Sequence, residues 1–220
     1  TDARGVVTTY TYGDLNLLTE VSYNNVPGVA PTASVSIDYR EASPGKGQVE
    51  TVTDGAGSES YVYDSFGRLQ SCTREIDGIS YQKQYEYNQA DQMTLMIYPS
   101  GKRVRVGRDG RGRLAALQRV NDSGSVQENY LSEIVYRADG LIGSRRLGNG
   151  ATETFGYSDD RLQLTSQTVT KGGATLLDLS YGYQADAGQM GSGSEAGNIG
   201  QLVNITGTIN GQSRNQAFTY

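Results

Sequence analysis

The stretch Tyr61-Val62-Tyr63-Asp64-Ser65-Phe66-Gly67-Arg68-Leu69 combines an alternating aromatic pair with a turn that closes on Gly-Arg-Leu. Side chains of an extended strand alternate between faces, so the rings of Tyr61 and Tyr63 share one side. An aromatic or branched residue two places before a tyrosine recurs at Tyr10/Tyr12, Ile37/Tyr39, Tyr85/Tyr87, Ile134/Tyr136, Phe155/Tyr157, Tyr181/Tyr183 and Phe218/Tyr220. Val106/Arg108 fills the one slot that lacks a tyrosine. These positions hold 12 of the 16 tyrosines, which a repeated structural column explains and scattered placement does not.

A second column follows the first. Its triplets are Asn16-Leu17-Leu18, Gly47-Gln48-Val49, Gly67-Arg68-Leu69, Asp91-Gln92-Met93, Gly112-Arg113-Leu114, Gly140-Leu141-Ile142, Asp160-Arg161-Leu162 and Gly200-Gln201-Leu202. The third position is always aliphatic or Met, while Gly, Asn or Asp at the first suits a turn that needs left-handed backbone angles. Three residues beyond the anchor a second apolar residue appears at Val21, Val52, Cys72, Met96, Leu117 and Ile205, with Arg145 and Thr165 as exceptions. That odd spacing predicts a bulge or turn between the two anchors. Each unit therefore reads as strand, short turn, strand and looser connection: an antiparallel hairpin.

The eight slots at 12, 39, 63, 87, 108, 136, 157 and 183 predict one array of about eight units over residues 1–220. Connections are expected at Pro27 to Pro31, Asp77-Gly78, Pro99-Ser100-Gly101, Asn121 to Gly124, Asn149-Gly150 and Lys171 to Gly173. A glycine-rich insertion at 185–197 is expected to be a mobile loop. The expected structural positions are Tyr12, Tyr39, Tyr63, Tyr87, Tyr136, Tyr157 and Tyr183, Leu69, Leu114, Leu162 and Leu202, and Gly67, Gly112 and Gly200.

Composition agrees with an all-β chain. The 220 residues are 36% hydrophobic, with 29 Gly, 3 Phe and no Trp, a balance suited to short strands and tight turns. A net charge of −5 argues against a nucleic-acid partner, since phosphate binding needs a basic surface. One cysteine excludes an internal disulfide, and no run of 18 apolar residues predicts a membrane span. No leader opens the chain, which reads as a piece of something longer.

The set of columns, with its clearest copy in Tyr63-Asp64-x-x-Gly67-Arg68-Leu69, resembles the YD-repeat, or Rhs-repeat, proteins over essentially the whole chain. The Asp slot elsewhere holds Gly13, Arg40, Asn88, Arg137, Ser158 and Gln184. That family includes bacterial Rhs and Tc toxin components, wall-associated proteins and animal teneurins, and its toxin forms enclose a cytotoxic C-terminal domain. The resemblance implies an all-β fold of tandem hairpins wound into a curved spiral sheet. It also implies a non-enzymatic wall segment of a secreted or cell-surface bacterial toxin shell. Its implied partners are the remaining repeats of the parent shell and an enclosed toxin polypeptide. The family's self-cleaving site uses Asp-Pro motifs, whereas Pro27, Pro31, Pro44 and Pro99 follow Val, Ala, Ser and Tyr.

Few residues invite chemistry, and no catalytic, cofactor or metal residue is assigned. With no histidine, the usual general base, triads and most zinc sites are absent. Cys72 falls in the second apolar column and reads as a packed small hydrophobe rather than a reactive thiol. Neighbours Asp159 and Asp160 would point to opposite faces, and Asp160 sits in the turn slot. The segment Gly191 to Gly197 lacks the Gly-Lys-Ser/Thr ending of a phosphate loop. Lys102, Arg103, Arg105, Arg108, Arg111 and Arg113 form one basic patch, read as a solvated or salt-bridged face over a dock for an acidic partner or for enclosed cargo. The alternative function is a cell-surface adhesion or carbohydrate-binding module that presents the tyrosines to sugars.

The same spacing bears on closure. Eight slots of two strands at about 4.8 Å give a sheet about 77 Å wide, or a ring only about 25 Å across. A domain of about 100 residues, with a radius of gyration of about 13 Å, does not fit inside. An open sheet is expected, with self-association through edges near Tyr10 and Phe218.

Overall fold

The computed structural model describes residues 1–185 and 198–218, which leaves most of the expected loop at 185–197 outside the described residues. The described residues contain strands, turns and bends and no helix. Accordingly, among the described residues no helix is long and apolar enough to cross a membrane.

The chain divides into two compact units, Thr1–Arg105 and Val106–Tyr220. The first contains β1 (Thr8–Tyr12), β2 (Leu18–Tyr23), β3 (Val35–Tyr39), β4 (Val49–Asp54), β5 (Gly57–Tyr63), β6 (Leu69–Ile76), β7 (Ile79–Tyr87) and β8 (Met93–Ile97). Strand β9 (Arg103–Arg108) begins in the first unit and ends in the second. The second continues with β10 (Leu114–Val120), β11 (Val126–Tyr136), β12 (Ile142–Leu147), β13 (Thr152–Tyr157), β14 (Leu164–Lys171), β15 (Ala174–Ala185), β16 (Asn198–Ile209) and β17 (Gln212–Ala217).

Within each unit consecutive strands pair antiparallel, from β1 with β2 through β8 with β9, and from β10 with β11 through β16 with β17. Among the described residues no element of a unit lies across the face of its sheet. Among the described residues no large side chain falls below 2% exposure. Each unit is thus a single layer, held by cross-strand pairs rather than by a two-layer core. Of the buried apolar residues Cys72, Leu95, Val106, Val120 and Leu131 lie along strands, while Val6 and Ala151 lie just before β1 and β13.

The odd spacing of the anchors has a clear cause. Each hairpin carries a bulge immediately before its tyrosine, at Thr11/Tyr12, Asp38/Tyr39, Val62/Tyr63, Glu86/Tyr87, Val135/Tyr136, Gly156/Tyr157 and Gly182/Tyr183. The extra residue turns the second strand by one step, so the tyrosine faces its anchor: Tyr63 lies opposite Leu69, and Tyr87 opposite Met93.

Candidate functional site

Asp64 builds the turn that gives the repeat its shape. Its Oδ1 accepts from the backbone N–H groups of Phe66 and Arg68, both at 2.9 Å, and its Oδ2 from Arg68 Nε at 2.7 Å. These bonds mimic a backbone turn and fix the arginine as well. The chain then needs a left-handed residue, and Gly67 supplies it at φ 79°. The same first position of the triplet holds positive φ at Asn16, Gly47, Asp91, Gly112, Gly140 and Gly200.

Two side chains bridge this turn and the next hairpin in opposite directions. Arg68 reaches forward, placing Nη1 2.7 Å from Asp91 Oδ1 and 3.1 Å from the Asn88 carbonyl, with its guanidinium 4.8 Å from the centre of the Tyr87 ring. Tyr87 reaches back, and its hydroxyl donates to the Leu69 carbonyl at 2.9 Å. The backward tie recurs from Tyr39 to Leu18 (2.8 Å), Tyr63 to Val49 (2.6 Å), Tyr136 to Leu114 (2.9 Å), Tyr157 to Ile142 (3.1 Å) and Tyr183 to Leu164 (2.9 Å). Every acceptor is the anchor residue of the preceding hairpin. The forward stack recurs with Arg113 over Tyr136 at 4.1 Å.

The column residues are thereby placed. Tyr39, Tyr63, Tyr87, Tyr136, Tyr157 and Tyr183 make the tie, whereas Tyr12 keeps the register opposite Leu18 and is itself 57% exposed. Leu69 and Leu114 offer acceptor carbonyls, and Leu202 pairs with Tyr183. Gly112 and Gly200 hold φ 78° and 88°.

Leu162 departs from the expectation. The seventh turn is one residue longer, closing from Ser158 N to the Gln163 carbonyl, so Leu162 takes the left-handed turn position at φ 55°. Leu164 is the anchor there, Thr165 is the bulge residue, and Gln167 stands in the second column. Asp159 and Asp160 lie exposed at that tip.

Other sites resolve as follows. Cys72 is 5% exposed with Sγ 3.8 Å from the Tyr85 hydroxyl, a packed position. In the basic patch Arg113 pairs with Asp109 at 2.7 Å, Arg103 lies 3.9 Å from Glu86, and Arg108 donates to the Gly112 carbonyl. Asp109 was legible as a second copy of the Asp64 turn, because Asp109 to Leu114 repeats the Asp-x-x-Gly-Arg-Leu pattern. Its carboxylate accepts from Arg111 N, Arg113 N and Arg113 Nε within 2.9 Å. A part-buried polar cluster, Arg145, Gln167 and Tyr181 around the buried Glu153, interrupts the second column and had no signal beyond the odd Arg145. Glu153 lies 2.6 Å from Arg145 and accepts from Gln167 at 2.5 Å, and Tyr181 donates to Gln167 at 2.7 Å. No group of His, Cys, Asp and Glu among the described residues is arranged to hold a metal.

Titration reports the same clasp. Partial burial works against the charges of Asp64 and Asp109, but their arginine and backbone donors outweigh it and hold both carboxyls below the ordinary 3.8. Burial raises the phenols of Tyr63, Tyr87, Tyr181 and Tyr183, and burial with the Cys72 contact pushes Tyr85 up to about 12. A lowered carboxyl stabilises the fold above its unfolded value, and this is lost as pH falls through the folded value; a raised phenol stabilises below its unfolded value, lost as pH rises. Stability is therefore expected to be flat at mid pH, to fall below about 4 and to fall again above about 10. The pair Asp64→Asn and Asp109→Asn should flatten the acid limb in a pH series of urea melts; an unchanged limb would remove these carboxylates from the account.

The hydroxyl tie gives a second expectation. Tyr87→Phe keeps the ring and its stack and loses one bond to a part-buried carbonyl, an expected cost of about 1 kcal/mol. Hydrogen exchange should rise at Leu69 to Ser71 and not in β3, and a uniform rise would contradict a local seam.

The fold and the clasp define a YD-type hairpin array. Residues 6–121, more than half of the chain, match the teneurin YD-shell family, and the chain belongs to it. Among solved structures it is similar to TcdB2-TccC3 without the hypervariable C-terminal region, at 15% identity and TM-score 0.71 over 92% of this chain and 10% of that one. It is likewise similar to the Photorhabdus luminescens Tc holotoxin pore carrying a TccC3 mutation, at 17% identity and TM-score 0.69 over 99% of this chain and 11% of that one. These likenesses concern the fold, and the chain spans about a tenth of the chains it matches. No curated protein matches it.

Proposed function

We propose that this segment is a length of non-catalytic wall in a bacterial Rhs/Tc-type toxin shell, joined to further repeats and enclosing a polypeptide effector. Residues 1–220 then act as one array of about eight units, secreted or displayed at the cell surface with its parent. The observation that carries this reading is the set of six phenol-to-carbonyl ties, each from one hairpin to the anchor of the one before. Each ties a tyrosine side chain of one hairpin to the backbone of the hairpin before it, the bonding a wall of stacked hairpins requires. The tyrosine, anchor and turn columns are the working residues of such a wall. Membership in the YD-shell family and the Tc-like fold support it. The carbohydrate reading is disfavoured because those six hydroxyls are already engaged.

Encapsulation is tested in the full-length parent protein by limited proteolysis. An enclosed effector should survive protease that digests the same polypeptide expressed alone. Equal digestion of the two would refute enclosure.

A further inference from the structure

The turn seams of the first unit differ in what lies beside the tyrosine ring. Between the third and fourth turns Arg68, the middle residue of its triplet, stacks on Tyr87 and pairs with Asp91. In the first hairpin the middle residue is Leu17, which has no cation and a shorter reach. Where the first and second turns meet, Leu17, Tyr39, Asp14 and Glu41 border an open cleft of about 520 Å³. Leu15, 78% exposed, stands at its rim. Tyr39 is held in place by its bond to the Leu18 carbonyl, so the ring is fixed before anything binds.

We propose that this cleft is a binding site for an arginine side chain presented by a partner polypeptide. The guanidinium lies against Tyr39 and pairs with Asp14 or Glu41, repeating between chains the contacts that Arg68 makes within this one. Leu15 and Leu17 take the aliphatic stem. Arginine fits better than lysine because a planar, weakly hydrated guanidinium both stacks and pairs. Of the two cations in the lining, Arg40 is already engaged, donating to the Pro44 carbonyl at 2.9 Å and lying 3.5 Å from Glu50. With Arg40 offset by Glu50, Asp14 and Glu41 against Lys46 leave one net negative charge for the incoming cation. The volume falls in the range of ligand clefts, about 300–1,000 Å³, and admits the arginine with part of a flanking residue. The site does not depend on the shell reading.

The probes are acetyl-Gly-Arg-Leu-amide and its citrulline counterpart, which keeps the shape and loses the charge. Titration of the intact chain followed by NMR should give saturable shifts at Leu17 and Tyr39, with the citrulline peptide about tenfold weaker. Leu17→Arg fills the cleft from within and should abolish binding while raising the melting temperature. Asp14→Asn combined with Glu41→Gln, at two exposed positions, should weaken the arginine peptide about tenfold and leave the citrulline peptide unchanged. Equal binding of the two peptides, shifts remote from Tyr39, binding that survives the carboxylate changes, or no saturable binding would each overturn the proposal.

Discussion

Gly57→Ala is expected to destabilise the chain by at least about 3 kcal/mol, far more than alanine at an ordinary turn glycine. Gly57 opens β5 at φ 144°, a backbone conformation that L side chains rarely adopt. A Cβ built there lies 1.9 Å from the Glu75 carbonyl oxygen on β6. The clash is with backbone, so no rotamer change relieves it, and β5 must separate from β6 or lose its first pairs. Gly207 repeats the arrangement in β16 at φ 147°, with its Cβ 1.9 Å from the Asp178 carbonyl oxygen. Gly78, at φ 76° with nothing within 4 Å, is the control; alanine there should cost only about 1–2 kcal/mol of backbone strain. Denaturant melts of the two variants decide the matter, and equal costs would show that the close approach relaxes freely.

How far such features were legible depends on what kind of constraint each residue meets. The turn column was legible because left-handed backbone angles restrict the residue type, so Gly67, Gly112 and Asp91 announce themselves. The tyrosine column was legible because period-two alternation is a local property. Where the hydroxyls go was not, since the acceptor carbonyl sits on another hairpin and depends on register across the seam. Arg68 likewise reads as a surface charge until Tyr87 and Asp91 are brought beside it. The seventh hairpin misled for a physical reason. Asp160 is a good turn residue in sequence, but the Ser158 hydroxyl accepts from Gln163 N at 3.1 Å and stabilises a turn one residue longer. A leucine then occupies the left-handed position, a placement that composition never favours.

The polar cluster on β12 to β15 shows how register creates what spacing alone reads as an exception. Arg145 stands where six other hairpins carry Val21, Val52, Cys72, Met96, Leu117 or Ile205, and its directly opposite residue on β13 is Glu153. Glu153 is 6% exposed, with the Arg145 guanidinium 2.6 Å away and also 5.3 Å from the Phe155 ring centre. Removing the arginine leaves the buried Glu153 carboxylate with a charge that the remaining bond from Gln167 only partly compensates. Arg145→Met is therefore expected to cost about 3 kcal/mol. Replacing both, Arg145→Met with Glu153→Leu, restores an apolar column against Phe155 and should recover most of that loss, since paired replacement by packed apolar groups is often neutral. The coupling between the two sites, read from a double-mutant cycle in urea, should reach about 2 kcal/mol. If the double variant is no more stable than the single one, the cluster is held by Gln167 and Tyr181 rather than by the ion pair. If the single variant matches wild type, Glu153 is reached by water and the burial seen at β13 has no energetic weight.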